Sequence, residues 1–507
     1  MDDFLLPASR WIRSLPVRAT FWYEYPVLAM IDGMMRINGT EVAAAGGATI
    51  AVVNPANGEQ IATIPRGTAE DIGKASDAAA TAFPGWKAVR MRDRGRVLFA
   101  AAQEGRRQVA DLARLLTTEQ GKPLREATDE IRGFCNVLEY YASLSAQPLD
   151  QFIDLGAGSG AVVRQDPLGT VGAIIPWNMP ALIMAWKTAP ALLAGNAVIL
   201  KPSSTAPLTV LRLAGILEKS GLPPGTLNVV TGSGGEAGEA LLHDPGIAAL
   251  SFTGSSATGE HVCEVASRGG VMVNLELGGS DPMVVMPDAD IDAAVRGSIH
   301  GRFYNAGQVC SAVKRLFVHE TIADEFQQKL AAAVREVRVG NGLDPEARMG
   351  PLNNPAGYDR IRELVSEVST KEEGTVLTGG EAVGHLPENG LFFMPTIVTD
   401  VAPDSRLLSE EVFGPVLPVA TFKDLDAAIR MANSTQYGLG ASVWTHDTRV
   451  ISRYFAEVHA GVVWVNRHVS VPPEIPFGGT GKSGSGRENG SSAILHYTKS
   501  KTLYYGP

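Results

Sequence analysis

The chain has 507 residues, of which 45% are hydrophobic and 19% charged, and its net charge is −10. That length exceeds one simple core and suggests roughly two to three domains. The composition is that of a well-buried globule, which excludes a disordered chain, and the acidic balance argues against nucleic acid as a main partner. Three cysteines without regular spacing argue against a disulfide framework and for a reducing, cytoplasmic compartment. The histidines form no HExxH pair and no Cys/His cluster, so no metal site is expected.

In chain order, residues 1–32 come first. "FWYEYP", Phe21 to Pro26, crowds aromatics into a short span, and Arg10, Arg13 and Arg18 give it some amphipathic character. Asp2 and Asp3 are wrong for a secretory leader, and no long apolar stretch follows. The segment reads as an extension lying on the globule or on a neighbouring subunit. Val171 to Leu200 is the most apolar stretch, with Lys187 its only charge. Pro176, Pro180 and Pro190 interrupt it, which predicts buried strand, turn and helix in place of a membrane span.

From Val171 onward, short apolar runs alternate with helical patterns. Asn196–Lys201, "NAVILK", is strand-like. Val210, Leu213, Ala214 and Leu217 fall at helical spacing, stopped by Gly221 and Pro223. "TLNVV", "ALSFT", "VMVNLEL" and "PMVVM" read as further strands. Such alternation predicts a parallel, doubly wound sheet. After Asp288 it begins again: a helix, a loop around Cys310, the strand "RLFVHE" and a helix from about Ile322. That is a second α/β unit.

Several glycine-rich stretches compete for a functional role. "GSGGEA" supplies Gly232, Gly234 and Ala237 after a strand, and "FTGSSATGE" supplies Gly254 and Gly259 after another. Each is compatible with pyrophosphate held at a helix start, and equally with a tight turn. "GTGKSG" imitates the tail of a P-loop at Gly481, Lys482 and Ser483, but Pro476 stands where the first glycine is required. No G-x-S-x-G elbow occurs; "GSSAT" fails at Thr258. Cys310, in "NAGQVCSA", sits in a small polar segment, unlike a cysteine packed into an apolar core, and so invites a nucleophilic reading.

Seven motifs then occur in one order: "IIPWNMP" (Ile174 to Pro180), "KPSS" (Lys201 to Ser204), "FTGSSATG" (Phe252 to Gly259), "LELGG" (Leu275 to Gly279), "NAGQVC" (Asn305 to Cys310), "EEVFGPV" (Glu410 to Val416) and "PFGGTGKSGSGRE" (Pro476 to Glu488). Together they resemble the NAD(P)-dependent aldehyde dehydrogenase superfamily. The resemblance implies an α/β fold with a doubly wound Rossmann-type cofactor domain, an α/β catalytic domain and a small β oligomerisation element. The implied boundaries are 33–146 and 168–276 for the cofactor domain, 277–481 for the catalytic domain, and 147–167 with 482–507 for the oligomerisation element. A homodimer or homotetramer is expected.

The resemblance also implies roles. Cys310 is the nucleophile that adds to an aldehyde carbonyl, because a carbonyl does not release hydride directly and a thiohemiacetal does. Asn178 and the Cys310 N–H stabilise the oxyanion. Glu276 is the base for thioester hydrolysis, with a pKa raised if the site is dry. Lys187 and Glu488 match positions linked to proton exit. For NAD or NADP the implied contacts are Ile174, Ile175, Pro176, Trp177, Lys201, Ser204, Gly234, Gly254, Ser255, Gly259, Glu276, Leu277, Gly278, Glu411 and Phe413. Ser204 stands where many NAD-selective members carry Glu, and loss of that carboxylate leaves room for a 2′-phosphate. The aldehyde channel is expected to use Met179, Trp186, Tyr304 and Phe477; Arg467 and His468 offer it a cationic end, but the reading of both as loop charges in solvent is preferred. That describes an apolar or aromatic small-molecule aldehyde. A semialdehyde substrate competes with it, weakened because Trp186 stands where an Arg often pairs with the distal carboxylate. Two further readings are a CoA-acylating enzyme, against which Glu276 argues, and a catalytically silent structural homologue, against which intact Cys310, Asn178 and Glu276 argue. Cys135 and Cys263 are expected to be structural.

Overall fold

The computed structural model describes residues 31–384 and 386–506, so the expected N-terminal extension lies outside them except for Ile31 and Asp32. Five parallel strands form the centre of an eight-stranded sheet: Met272–Glu276, Ile247–Thr253, Thr170–Ile174, Ala197–Lys201 and Leu227–Val229, in that spatial order. The chain starts in the middle at Thr170–Ile174, winds outward to one side, and then returns to fill the other. This reversal leaves a crevice beyond the carboxyl ends of Thr170–Ile174 and Ile247–Thr253, where open α/β sheets bind ligands. Register aligns those ends: Ile174 lies opposite Lys201 and Phe252, and Thr253 opposite Glu276. Ala197–Lys201 is buried at every residue, as a parallel strand covered on both faces must be.

A second sheet has seven strands in the order Thr375–Thr378, Thr396–Thr399, Val416–Phe422, Val313–His319, Asp281–Val285, Gly440–Trp444 and Val462–Val465, all parallel except the first. A separate antiparallel sheet joins Gln151–Gly156, Ser159–Pro167 and Thr498–Tyr505. It leaves Phe152, Ile153, Leu155, Leu503, Tyr504 and Tyr505 exposed.

Two sequence expectations change here. Pro190 does not interrupt the apolar segment; a single helix runs Pro180–Ala194 through it. Pro180 occupies the first turn, where a missing N–H costs nothing. The helix is buried on nearly every face, so packing offsets the one hydrogen bond that Pro190 removes. It ends at Gly195, whose φ of +103° closes the last turn. The second change concerns Gly484–Ser485, assigned by sequence to the small β element. It pairs antiparallel with Leu275 and Glu276 and extends the first sheet, because a strand edge beside Glu276 needs its backbone groups satisfied.

Candidate active site

Two cavities meet between the sheets. The first, at the switch point, is walled by Pro176, Trp177, Thr253, Gly254, Ser255, Leu277, Gly278, Glu411 and Phe413. The second is walled by aromatic and apolar side chains, including Met179, Leu182, Trp186, Tyr304, Val469, Val471 and Phe477, and encloses ≈ 410 Å³. Asn178, Ile183 and Cys310 belong to both walls. A group bound in either cavity therefore reaches the same thiol.

The loop that presents Cys310 is held in an unusual conformation. Asn305, Ala306 and Gly307 have φ of +50°, +54° and +75°. Any Cβ at Gly307 would collide with the carbonyl of Gly414, which explains glycine there. Two left-handed non-glycine residues in succession cost on the order of 1–3 kcal/mol each, and an array of hydrogen bonds offsets this. Asn305 N donates to Glu126 (2.8 Å), Gln120 Nε2 donates to Asn305 Oδ1 (3.0 Å), and Asn305 Nδ2 donates to the Asn178 carbonyl (3.0 Å). Gln308 Nε2 donates to Asn305 O and Gln308 Oε1 accepts from Asn353 N, both at 2.9 Å. Glu126 is pushed up to about 7 by burial, opposed by its bond to Asn305 N.

Asn178 Nδ2 donates to the Gln308 carbonyl at 2.9 Å, which turns its amide toward the nucleophile loop. The Asn178 main chain is itself clamped: its carbonyl accepts from Lys122 Nζ at 2.6 Å. Lys122 forms a fully buried ion pair with Glu130, and Glu130 accepts from Ala181 N (2.8 Å) at the start of the helix Pro180–Ala194.

Cys310 is half-buried. Burial pushes its thiol up to about 12; Lys314 pulls it down, and Asp281, Glu276 and Glu411 push it further up. Glu276 is buried, and neither carboxylate oxygen has a hydrogen-bond partner. Burial first, then the charge of Glu488, hold it well above the ordinary carboxylate range, against Lys187 and Arg487. Its Oε1 faces Gly478, where a Cβ would stand 2.5 Å away, and the side chain belongs to neither cavity wall.

Behind Glu276 lies a polar network. Lys187 Nζ donates to Glu488 Oε1 (2.8 Å) and to Ser251 Oγ (2.9 Å), and Asn274 Nδ2 donates to Glu488 Oε1 (3.0 Å). Lys187 and Glu488 are both fully buried, so the two sequence positions linked to proton exit form one ion pair.

A separate groove is walled by Ile174, Lys201, Gly234, Thr258 and His261, among others. Gly234 and Gly235 face open space. Ser255 caps the helix Ser256–Gly269, its side chain accepting from Thr258 N, so that helix start faces the cavity with donors and a positive dipole end. Gly259 packs beneath Leu277, and Gly254 lies against the Phe252 ring. Lys201 Nζ donates to the Pro202 carbonyl at 3.0 Å, and burial lowers it to about 8. Glu411 Oε1 accepts from Gly279 N at 3.1 Å, and any Cβ at Gly278 would collide with Glu411 Oε2. Phe413 meets Trp177 edge to face at 5.6 Å. The cavity and the groove both border the start of the helix Ser256–Gly269, an arrangement that fits an elongated anionic dinucleotide.

Some expected contacts fall elsewhere. Ile175 is buried in the core, its N donating to the Lys201 carbonyl. Ser204 is half-buried in the turn after Lys201 and walls neither the cavity nor the groove. On the aldehyde side, Trp186 and Phe477 stack with centroids 5.2 Å apart, while Arg467 is exposed and donates to Ser470 Oγ at 2.8 Å, outside the cavity wall. His468 supplies no cation. It is buried, hydrogen-bonded to Ser442 Oγ (2.8 Å) and the Ser311 carbonyl (3.0 Å), and burial lowers it to about 3, which keeps it neutral. Cys135 is buried, as a structural cysteine should be, whereas Cys263 is exposed, against that expectation. Sequence reasoning missed Lys122, Glu126, Glu130 and Lys314. The available signal was charge in otherwise apolar context: "VKRLFV" places two cations in a buried strand.

A family model described as the aldehyde dehydrogenase family matches residues 42–503. The chain is 40% identical over 472 residues to a betaine aldehyde dehydrogenase of Cereibacter sphaeroides, covering 93% of this chain and 96% of that one. Among solved structures, it is similar to an NAD-dependent aldehyde dehydrogenase from Sinorhizobium meliloti (TM-score 0.92, 35% identity, 95% and 96% of the two chains). It is also similar to an NADP-dependent enzyme from E. coli (TM-score 0.91, 36% identity, 94% and 98%).

Proposed function

The chain belongs to the aldehyde dehydrogenase family, and from that premise we propose that it oxidises an apolar or aromatic aldehyde to the carboxylic acid with NAD or NADP, using Cys310 as nucleophile. The observation that carries this reading is that Cys310 and Asn178 form the shared wall of two cavities, one shaped by backbone and a helix start, the other by aromatic side chains.

The chemistry assigns each residue a step. Burial disfavours the Cys310 thiolate, and the thiol gives up its proton to solvent as sulfur attacks the aldehyde carbon. Glu276 is kept for the later hydrolysis; its lack of hydrogen-bond partners leaves it free to swing toward the thioester. The new C–S bond makes a thiohemiacetal whose oxyanion is met by Asn178 Nδ2 and the Cys310 N–H. A nicotinamide held in the first cavity would supply the hydride acceptor that this adduct needs to become a thioester. Glu276 then takes a proton from water as the water attacks the thioester, and the C–S bond breaks to release acid and thiol. Lys187 and Glu488 relay the proton away from Glu276. Lys201, Ser255, Glu411 and Phe413 would hold the dinucleotide.

Met179, Trp186, Tyr304 and Phe477 give the aldehyde cavity its apolar character. A second reading, a cationic aldehyde, is favoured by Asp129 in the same wall as three aromatic rings. The apolar side chains left exposed on the small antiparallel sheet support a homodimer or homotetramer built through it, and three free cysteines support a reducing compartment such as the cytoplasm. NAD(P)H production is the test, with benzaldehyde, a medium aliphatic aldehyde, betaine aldehyde and succinate semialdehyde, each with NAD and NADP. A preference for the first two supports the main reading, preference for betaine aldehyde supports the second, and no turnover with any aldehyde overturns both.

A further inference from the structure

Directly behind the nucleophile loop lies a buried cation that the steps above do not use. Lys314 is the second residue of the strand Val313–His319 and is fully buried. Its Nζ donates to the Cys310 carbonyl at 2.6 Å and to the Val309 carbonyl at 3.0 Å. It faces Glu411 Oε1 at 3.5 Å and lies over the Phe413 ring at 5.9 Å. An ammonium taken out of water carries a desolvation cost of several kcal/mol, which only good partners offset. Methionine would pack this strand position without that cost, so the charge calls for a reason.

The surroundings supply one. Three carboxylates act on the Cys310 thiol: Glu276 at the end of the strand Met272–Glu276, Asp281 at the start of Asp281–Val285, and Glu411 from the loop that walls the first cavity. All three disfavour a thiolate. His468, behind Ser311, is neutral and gives no counterweight. Lys314 does, from the strand that leaves the loop, and the same ammonium grips the main chain of the nucleophile itself.

We propose that Lys314 is a positioning residue for Cys310: it fixes the carbonyls of Val309 and Cys310, supplies the positive charge that favours the thiolate against Glu276, Asp281 and Glu411, and through Glu411 ties that setting to the dinucleotide cavity. The proposal rests on the reading of Cys310 as nucleophile. It explains why two cations, Lys314 and Arg315, stand side by side in a buried strand: Arg315 turns to the other face, donating to the carbonyls of Ser280 and Ala432, while Lys314 faces the thiol loop.

The test needs neither aldehyde nor dinucleotide. The purified full-length enzyme is treated with iodoacetamide over a pH series, and alkylation of the Cys310 peptide is followed by mass spectrometry. Lys314→Gln removes the charge yet can still donate to the Cys310 carbonyl. The midpoint of its alkylation profile is expected to rise by about one pH unit, or roughly tenfold slower labelling at fixed pH, and Lys314→Arg is expected to restore most of the rate. A midpoint equal to the parent's in Lys314→Gln overturns the proposal. Should that variant not fold, Asp281→Asn serves instead: removing an opposing carboxylate is expected to lower the midpoint, and an unchanged midpoint overturns the proposal. The nucleophile reading fails separately, if parent enzyme fully alkylated at Cys310 still turns over.

Discussion

The two cavities that meet at Cys310 are built in opposite ways. The dinucleotide side is set by backbone features, namely strand ends brought level by register, a helix start at Ser255, and glycines at 254, 259 and 278 where side chains would collide with Phe252, Leu277 and Glu411, with the side chains of Trp177, Leu277, Glu411 and Phe413 completing its wall. The aldehyde side is made of side chains from five separate stretches, around residues 129–133, 178–186, 300–304, 309–311 and 469–477. A backbone surface tolerates few substitutions and suits one shared ligand. A side-chain surface can be refitted one residue at a time, and so it is where substrate choice resides.

The largest expected effect breaks the junction and leaves both cavities standing. Cys310→Ala should lower turnover by roughly a thousandfold or more while the dissociation constant for the dinucleotide, measured by fluorescence quenching, stays near that of the parent. A large loss of dinucleotide affinity would mean the cavities are not separable. Cys135→Ala and Cys263→Ala should both remain active in the same assay.

Glu276→Gln comes next. The first turnover should release a burst of NAD(P)H, followed by a steady rate slower by roughly a hundredfold, the range expected for losing a general base. Equal slowing of both phases would move Glu276 to the acylation step. The parent should also show a pH signature. Glu276 is held well above the ordinary carboxylate range, and a base works only when deprotonated. The steady rate should therefore climb with pH through a range higher than a solvent-exposed carboxylate would give, and fall away on the acid side. A rate that is flat down to ordinary carboxylate pH would contradict the burial argument.

Smaller effects sharpen the contrast between the sides. Met179→Ala enlarges only the aldehyde cavity, and should raise the Michaelis constant for a short aldehyde by about tenfold with little change for either dinucleotide. Ser204→Glu is the complementary change. A carboxylate near a 2′-phosphate repels it by roughly 4 kcal/mol at 4 Å and an effective dielectric near 20, less with solvation, so the Michaelis constant for NADP should rise at least about tenfold and that for NAD much less. Ser204 is not part of the groove wall; an unchanged NADP/NAD ratio would mean it does not approach the ribose.

The same division separates what was legible in the amino-acid sequence from what was not. Alternating strand and helix patterns after Val171, the glycine motifs and the Cys310 loop are local features, because a strand end, a helix cap or a left-handed turn is decided within a few residues. They carried the fold class and the family resemblance, and they named candidates for the dinucleotide side. Pro190 shows the limit: its local rule predicts a break, yet burial of the whole helix overrides it. Arg467 and His468 are adjacent in sequence and equally polar, but one points to solvent and the other is buried and neutral. Glu276 and Glu488 stand far apart in the chain, and only the pairing of Gly484–Ser485 with the strand ending at Glu276 puts them in one electrostatic field. Lys122 and Lys314 read as ordinary charges until the sheets close over them, when desolvation forces each to find a partner and makes both part of the site. Local backbone preferences thus determined the elements and the glycine-built cleft, whereas the environment of each charge was decided only by tertiary structure, because burial and long-range pairing belong to no short stretch of chain.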